Sequence, residues 1–471
     1  MKKTKILLLS PPQGLSTGHV EVPKFQVHPL GLLYIASVLE KYRYNVKILD
    51  ALNFCKSLDE IKKTIIDFMP DIVGISATTP SANDAYAVAK VIKQINHETA
   101  IVMGGPHVTA MHDEALNSRD IDIAVLGEGE FSMLEICENF EKKRNDLNNI
   151  GGIVFKSNGT IVKTNSRTKY DELNNIPFPA YHLLPNFKDY NPPPHWGKKG
   201  KFASIITSRG CPYDCSFCSV TRNWGRKYRY RSAENVINEI EYLNNNFGVN
   251  FISFRDSIAT LHRRRLIDIC KGIVEKKLKI TWNCNARINE VNLELLTWMK
   301  KAGCKSIFYG IESGNEQILS QFKELKKEDI RQVVGLTHKV GIEPHGFFMF
   351  GLPGETKETM RDTINFAKSL KLHTAGFTTV TPFPGSRLWD YSLNYNLVLT
   401  TDWNQYNLKG KPVSKHSNLT AEEILDAQKK AFKEFYLRPK IIYYQLKNIK
   451  SLNDLSSYVQ EGIINLFKKR K

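Results

Sequence analysis

The sequence predicts an α/β protein with two βα series in tandem: a doubly wound parallel sheet, then a partial (β/α)6 barrel, then a helical C-terminal region. Two alternations and one loop habit predict it. Short apolar runs recur between residues 4 and 145, separated by amphipathic helical stretches. The same alternation resumes at residue 202 and continues to 380. Runs in both series end in Ser, Gly and Pro, the residues that let a ligand approach the backbone at a strand's carboxyl end.

In the first series strands are expected at 6–9, 46–49, 72–75, 100–103 and 121–126, with helices at 30–42, 58–68, 82–95 and 131–140. Segments 152–155 and 160–163 flank Asn158-Gly159, a two-residue hairpin signal. A stretch with Pro177, Pro179, Pro185 and Pro192-Pro193-Pro194 follows and reads as a linker packed on the surface. The second series places strands at 203–207, 251–255, 279–283, 306–309, 346–350 and 376–380, and six such units favour a partial barrel over a second open sheet. Helices are expected at 422–436, 439–448 and 452–467. The expected divisions are 1–145, 146–199 for hairpin and linker, 200–395 for the barrel core, and 396–471.

Hydrophobic residues make up 42% of the 471, enough to build a core in more than one domain. The net charge is +18, but the lysines are spread along the chain and thicken only at Lys468, Lys469 and Lys471. Scattered charge reads as solvated helix faces, so nucleic acid is not expected as a partner. No apolar run is long enough for a bilayer, and the short run after Met1-Lys2-Lys3 reads as a buried first strand. Eight cysteines, three clustered and five scattered, are no disulfide framework; they suit a reducing cytoplasm and one metal site.

That cluster is Cys211-Pro212-Tyr213-Asp214-Cys215-Ser216-Phe217-Cys218, on the loop after the first strand of the second series. Three thiolates on a tight loop can hold three irons of a [4Fe–4S] cluster and leave the fourth open to a ligand. A structural zinc site wants four ligands; Cys284 or Cys304 would have to fold back to supply one. The segment resembles the cluster motif of the radical S-adenosylmethionine superfamily, including the aromatic Phe217 before the third cysteine. The resemblance implies a partial TIM barrel with the cluster at its carboxyl ends. It implies a methionine amine and carboxylate on the open iron, and cleavage to a 5′-deoxyadenosyl radical.

Further loops fit an S-adenosylmethionine site. Gly310-Ile311-Glu312-Ser313-Gly314 offers a carboxylate for a ribose or ammonium group, and Glu312 and Ser313 are expected cofactor contacts with Phe217, Asp256 and Arg287. In Gly351-Leu352-Pro353-Gly354-Glu355-Thr356, Glu355 reads instead as a first-turn residue offsetting a helix dipole.

The first series resembles the cobalamin-binding domain fused before the radical barrel in one large subfamily. The matching segments are Ser10-Pro11-Pro12, His28-Pro29-Leu30-Gly31-Leu32, Ile75-Ser76-Ala77-Thr78, Gly104-Gly105-Pro106-His107 and Gly127-Glu128-Gly129-Glu130. The resemblance implies cobalamin contacts from Ser10, Pro11, Ser76, Thr78, Gly104, Gly105, His107, Gly127, Glu128 and Gly129. The D-x-H-x-x-G signature is absent, so no histidine is expected on the cobalt, and His28 reads as a loop or capping residue.

The function expected is methylation of an unactivated carbon of a small molecule or lipid by a radical enzyme carrying a [4Fe–4S] cluster, S-adenosylmethionine and cobalamin. A flavodoxin or ferredoxin would supply the electron. Related enzymes close a ring or rearrange without methyl transfer, which sequence does not distinguish. A methylthiotransferase would need three cysteines in the first domain, where only Cys55 and Cys137 stand. A non-enzymatic sensor would not need the full set of barrel loops.

Overall fold

The computed structural model describes residues 4–448 apart from 19, 21–22, 24, 56, 143–145, 168–171, 186, 197–199 and 409. The expected helix at 452–467 and the terminal lysines lie outside the described residues.

The first sheet contains β1 (Lys5–Ser10), β2 (Asn45–Asp50), β3 (Ile72–Ser76), β4 (Ala100–Gly104), β5 (Ile123–Val125), β6 (Ile153–Ser157) and β7 (Thr160–Lys163). Its order is β2-β1-β3-β4-β5-β6-β7. The first five strands are parallel in the flavodoxin-like order, and the last two run antiparallel. Alternation along β1 divides the core. Ile6 and Leu8 face the helices Leu30–Lys41 and Glu130–Glu141, whereas Leu7 and Leu9 face Leu58–Phe68 and Ala82–Ile95.

The expected hairpin within 146–199 forms and joins the first sheet, with β6 paired to β5. Its turn uses Asn158 and Gly159, both at positive φ. The expected surface position of the Pro-rich stretch is corrected: the stretch is buried. Tyr181 and Tyr190 are fully buried, the former donating to the Ser204 carbonyl at 2.6 Å and the latter to Asp50 at 2.5 Å. Aromatic residues interleaved with the prolines bury this segment between the two sheets, where losing one ring would cost about 3–5 kcal/mol. His28 stacks on Tyr190 at 4.2 Å, and burial lowers its pKa to about 3, so it is a neutral core histidine.

The second series begins with β8 (Lys201–Ile205). A two-residue ladder follows, β9 (Ser208–Arg209) against β10 (Arg229–Tyr230), and closes the cysteine loop at its base. Then come β11 (Val249–Phe254), β12 (Thr281–Ala286), β13 (Cys304–Glu312), β14 (Glu343–Phe350) and β15 (Thr374–Thr379). The six long strands are parallel in sequential order and curl into a half barrel. β12 lies further along the chain than its expected range, because the polar Asn283 and Asn285 continue the strand on its concave side. Asn283 and Ser306 both donate to the Trp196 carbonyl at 3.4 Å, so the connector reaches into the concavity. The convex side packs against helices: Phe377 of β15 meets Phe432 and Phe435 of Ala421–Tyr436.

Candidate active site between the two sheets

The cysteine loop is shaped by backbone constraints. At Gly210 φ is 89°, and a Cβ there would lie 2.1 Å from the Lys227 carbonyl oxygen, so only glycine fits. The Cys211 amide donates to the Gly225 carbonyl at 3.2 Å and the Cys218 amide to that of Cys215 at 3.0 Å. All three cysteines are free and half-buried. Burial pushes the thiols of Cys211 and Cys218 up, the latter to about 11, so iron binding would have to displace their protons. Arg287 brings Nη1 to 3.8 Å from Cys215 Sγ and lies 3.8 Å over the Tyr213 ring. A fixed cation beside free thiols on one loop fits the anionic ligand set of an iron–sulfur cluster.

Around this loop the structure gathers Asp256, Arg287 and Glu312. Asp256 follows β11 and accepts from the Thr207 amide at 3.1 Å, the Thr207 hydroxyl at 2.8 Å and the Ser208 hydroxyl. Its second carboxylate oxygen is buried without a partner, an acceptor that a ligand's ammonium or hydroxyl would satisfy. Glu312 ends β13 at φ 69°, an unusual backbone for a non-glycine residue of the kind that collects at functional sites. Lys323 pairs with it at 2.8 Å and also donates to the Gly310 carbonyl at 3.0 Å. Arg287 donates to the Lys323 carbonyl, which joins these residues into one group beside Cys215. Lys323 carried no signal in the sequence.

Other expected contacts are engaged elsewhere. Ser313 is fully buried and shares a hydrogen bond with Thr363 at 3.1 Å, which holds the helix Lys357–Ser369 rather than facing the loop. Phe217 packs on the apolar group of Ile318, Met349, Leu352, Val380 and Leu388. Glu355 precedes that helix, which Thr356 caps, so it offsets no dipole; its carboxylate accepts from the amides of Gly351 and Leu352 at 2.7 and 2.9 Å. Arg229 and Arg231, shortly after the cysteine loop, are buried in ion pairs.

The first sheet faces this site with a cleft of about 270 Å³ between its carboxyl ends and the helices Leu30–Lys41 and Glu130–Glu141. Ser76, Gly104, Gly105, Gly127, Glu128 and Gly129 line it, as expected; Leu8, Gly74 and Met133 form its floor. The glycines let the cleft's walls pack closely. A Cβ on Gly74 would lie 2.8 Å from Leu8 Cδ2, and one on Gly105 2.5 Å from the Ala77 carbonyl oxygen. An apolar slot under a glycine rim fits the flat nucleotide tail of a corrinoid. Four expected contacts do not line it. Ser10 donates to Asp50 at 2.5 Å, Pro11 is buried beside it, and Thr78 bonds Ser81 at 2.9 Å. His107 is fully buried, with Thr79 at 3.4 Å, Tyr86 at 3.5 Å and the Trp403 ring at 4.9 Å around it.

The cleft and the cysteine loop share a wall. Arg209, two residues before Cys211, donates to Glu128 at 2.9 Å and to Glu130 at 2.6 Å; Arg229 donates to Glu128 as well. Burial alone would raise the Glu128 carboxyl, but the two guanidiniums overcome it and its pKa lies below the ordinary value. Asn223 and Trp224, on the helix after the third cysteine, line the cleft from the barrel side. Sequence reasoning missed Arg209 and Glu130 as a pair, since they stand 79 residues apart.

Fold and site together define a radical enzyme with a cluster loop facing a corrinoid cleft. Residues 17–136 match the B12 binding domain and residues 205–367 the radical SAM superfamily. An uncharacterized methyltransferase of Pyrococcus horikoshii is 38% identical over 444 residues, 94% of each chain. The anaerobic magnesium-protoporphyrin IX monomethyl ester cyclase of Rubrivivax gelatinosus is 30% identical over 430 residues, 88% of this chain and 75% of its own. The structure of the radical S-adenosylmethionine methyltransferase TsrM from Kitasatospora setae, with cobalamin and a [4Fe–4S] cluster bound, shares the fold. Its TM-score is 0.69 at 18% identity, over 84% of this chain and 75% of that one. The chain belongs to the cobalamin-binding radical SAM methyltransferase family, and its cofactors are a [4Fe–4S] cluster, S-adenosylmethionine and cobalamin. An external reductant supplies its electron. Among the described residues no helix is long and apolar enough to cross a membrane.

Proposed function

We propose that this protein methylates an unactivated carbon of a small molecule held between the glycine-rimmed cleft and the concave face of the half barrel. The wall shared by cleft and cysteine loop, built on Arg209, Glu128 and Glu130, carries this reading, because it fixes both cofactor sites against one space. When bound, the cluster supplies the electron that breaks a sulfonium C–S bond, and cobalamin supplies the methyl group.

The protein's own residues hold and orient. Cys211, Cys215 and Cys218 ligate the cluster, with Arg287 offsetting their charge. The unpartnered oxygen of Asp256 and the carboxylate of Glu312 receive polar groups of S-adenosylmethionine. Ser76 and the glycines at 104, 105, 127 and 129 admit the corrinoid tail. Phe217 and Ser313 act behind these contacts by packing. The electron donor is a flavodoxin or ferredoxin, and the eight free cysteines fit a reducing cytoplasm.

The test is anaerobic reconstitution with S-adenosylmethionine deuterated in its methyl group, a strong reductant and candidate substrates. Mass spectrometry should find 5′-deoxyadenosine and a product carrying the labelled methyl. A second reading, oxidative ring closure, is favoured by the cyclase relative. A product that forms with 5′-deoxyadenosine but without label would replace methyl transfer by that reading.

A further inference from the structure

The concave face of the half barrel holds a cation that no acid balances among the described residues. Arg255 follows β11 and shares the face of Ser253, which donates to Asn283 at 2.7 Å. Its guanidinium lies 4.9 Å from the ring of Trp196, the residue that enters the concavity from the connector. The Arg255 amide is spent on the Ile205 carbonyl at 2.8 Å, but among the described residues no carboxylate pairs with the side chain. Asp256, its neighbour in sequence, turns instead to Thr207 and Ser208. Arg255 is enclosed by protein and still open to solvent, as a side chain in a lumen is; burial lowers its pKa below the ordinary guanidinium value. A guanidinium that keeps access to solvent and has no carboxylate partner among the described residues can take an anion into a charge-assisted pair.

The surroundings specify the body of what would bring that charge. Phe308 and Phe347 stack at 5.8 Å on the same concave face. Phe347 is 41% exposed although it sits in the middle of β14, next to the sheet's last strand. Gly376 on β15 leaves room for that ring, since a Cβ there would lie 2.9 Å from it. An exposed ring inside a barrel is a surface for an apolar ligand. Position along the strands separates Arg255 from Arg287. Phe254 is level with Cys284, so Arg255 is level with Asn285 and one pleat, roughly 7 Å, below Arg287 at Cys215. Arg287 is the cation at the cluster; Arg255 is the one deeper in the lumen.

We propose that Arg255 is the anion receptor of the substrate chamber: the molecule to be modified carries a carboxylate, phosphate or phosphonate on an apolar, ring-bearing body. Arg255 fixes the anionic group, and Phe308 and Phe347 pack on the body. This rests on the lumen being the chamber of the reaction proposed above, but the test needs no turnover, so an enzyme that binds the probes and transfers no methyl would refute that reaction alone.

The probes are benzoate, phenylphosphonate and uncharged benzamide, titrated calorimetrically into anaerobic holoenzyme with and without saturating S-adenosylmethionine. Benzoate or phenylphosphonate should bind, with benzamide weaker by about tenfold or more. Arg255→Met should weaken the anions by about tenfold or more and leave S-adenosylmethionine affinity within about twofold. Arg255→Lys should recover part of the loss, and unchanged cluster and cobalamin spectra should show both variants intact. The proposal is overturned if neither anion binds at millimolar concentration, if benzamide binds as well, or if the variants bind the anions undiminished. It is also overturned if Arg255→Met weakens S-adenosylmethionine while that ligand displaces the anions, since the guanidinium would then serve the methionine carboxylate.

Discussion

Gly74, Gly105 and Gly129 shape the cleft of the first sheet by leaving space, whereas Cys211, Arg287 and Glu312 shape the barrel site with charge and donor atoms. The cleft is mostly apolar, and its two acids are neutralised by arginines of the other unit. The barrel site keeps a buried carboxylate oxygen on Asp256 with no partner among the described residues, and three free thiols on one loop. The difference follows from the cofactors. A corrinoid tail is recognised by shape in a dry slot, and a cluster with a sulfonium ligand by donor atoms and charge.

Four experiments separate the two sites. Cys211→Ala should have the largest effect, removing the cluster and all 5′-deoxyadenosine formation while cobalamin binding survives. Iron analysis and the visible spectrum of bound cobalamin check it, and loss of both cofactors together would show the two sites are not separable. Glu128→Gln should come next. It removes the buried carboxylate that pairs with both Arg209 and Arg229 and should cost about 3–5 kcal/mol of stability, read by denaturant unfolding. An unchanged midpoint would mean the shared wall is not a structural clamp.

Third is a pH effect confined to the barrel side. Burial raises the Glu355 carboxyl from 4.5 to about 7 against the pull of the Leu352 and Gly351 amides, and one of its oxygens has no partner. Below pH 4.5 both folded and unfolded chains hold the proton. Between 4.5 and about 7 only the folded chain does, so stability falls as pH rises, by about 3 kcal/mol in total, and is level above. Glu355→Gln should flatten that slope in unfolding curves taken across the range, while cobalamin affinity stays flat in both proteins. The smallest effect is expected from Gly74→Leu, which fills the slot: cobalamin affinity should fall by about tenfold to a hundredfold with iron content untouched. Full affinity in this variant would remove the slot from the cofactor site.

Much of the fold was legible because strand and helix periods are local. The expected ranges 6–9, 72–75 and 82–95 fall within or on the observed elements. The Pro-rich stretch was misread because prolines mark irregular backbone whether it lies on a surface or between two sheets; Tyr181 and Tyr190 decided the matter by finding acceptors on distant strands. Within the site, Cys211, Cys215 and Cys218 were readable since three ligands on one loop need no partner from elsewhere. His107 and Ser10 were expected at the cleft because they stand at or after strand ends, and the structure turns Ser10 toward Asp50 and His107 toward Thr79, Tyr86 and the C-terminal Trp403.

By itself the sequence determined the two βα series, the cluster loop and the glycines that open the first cleft, since each depends on residues close in the chain. Only the tertiary structure decided that Arg209 and Arg229 meet Glu128 and Glu130. It alone joined Lys323 to Glu312 and left Arg255 unbalanced in the lumen. A charge in a sequence carries its sign but no distance, and which charges are paired or left open is settled by how two sheets pack.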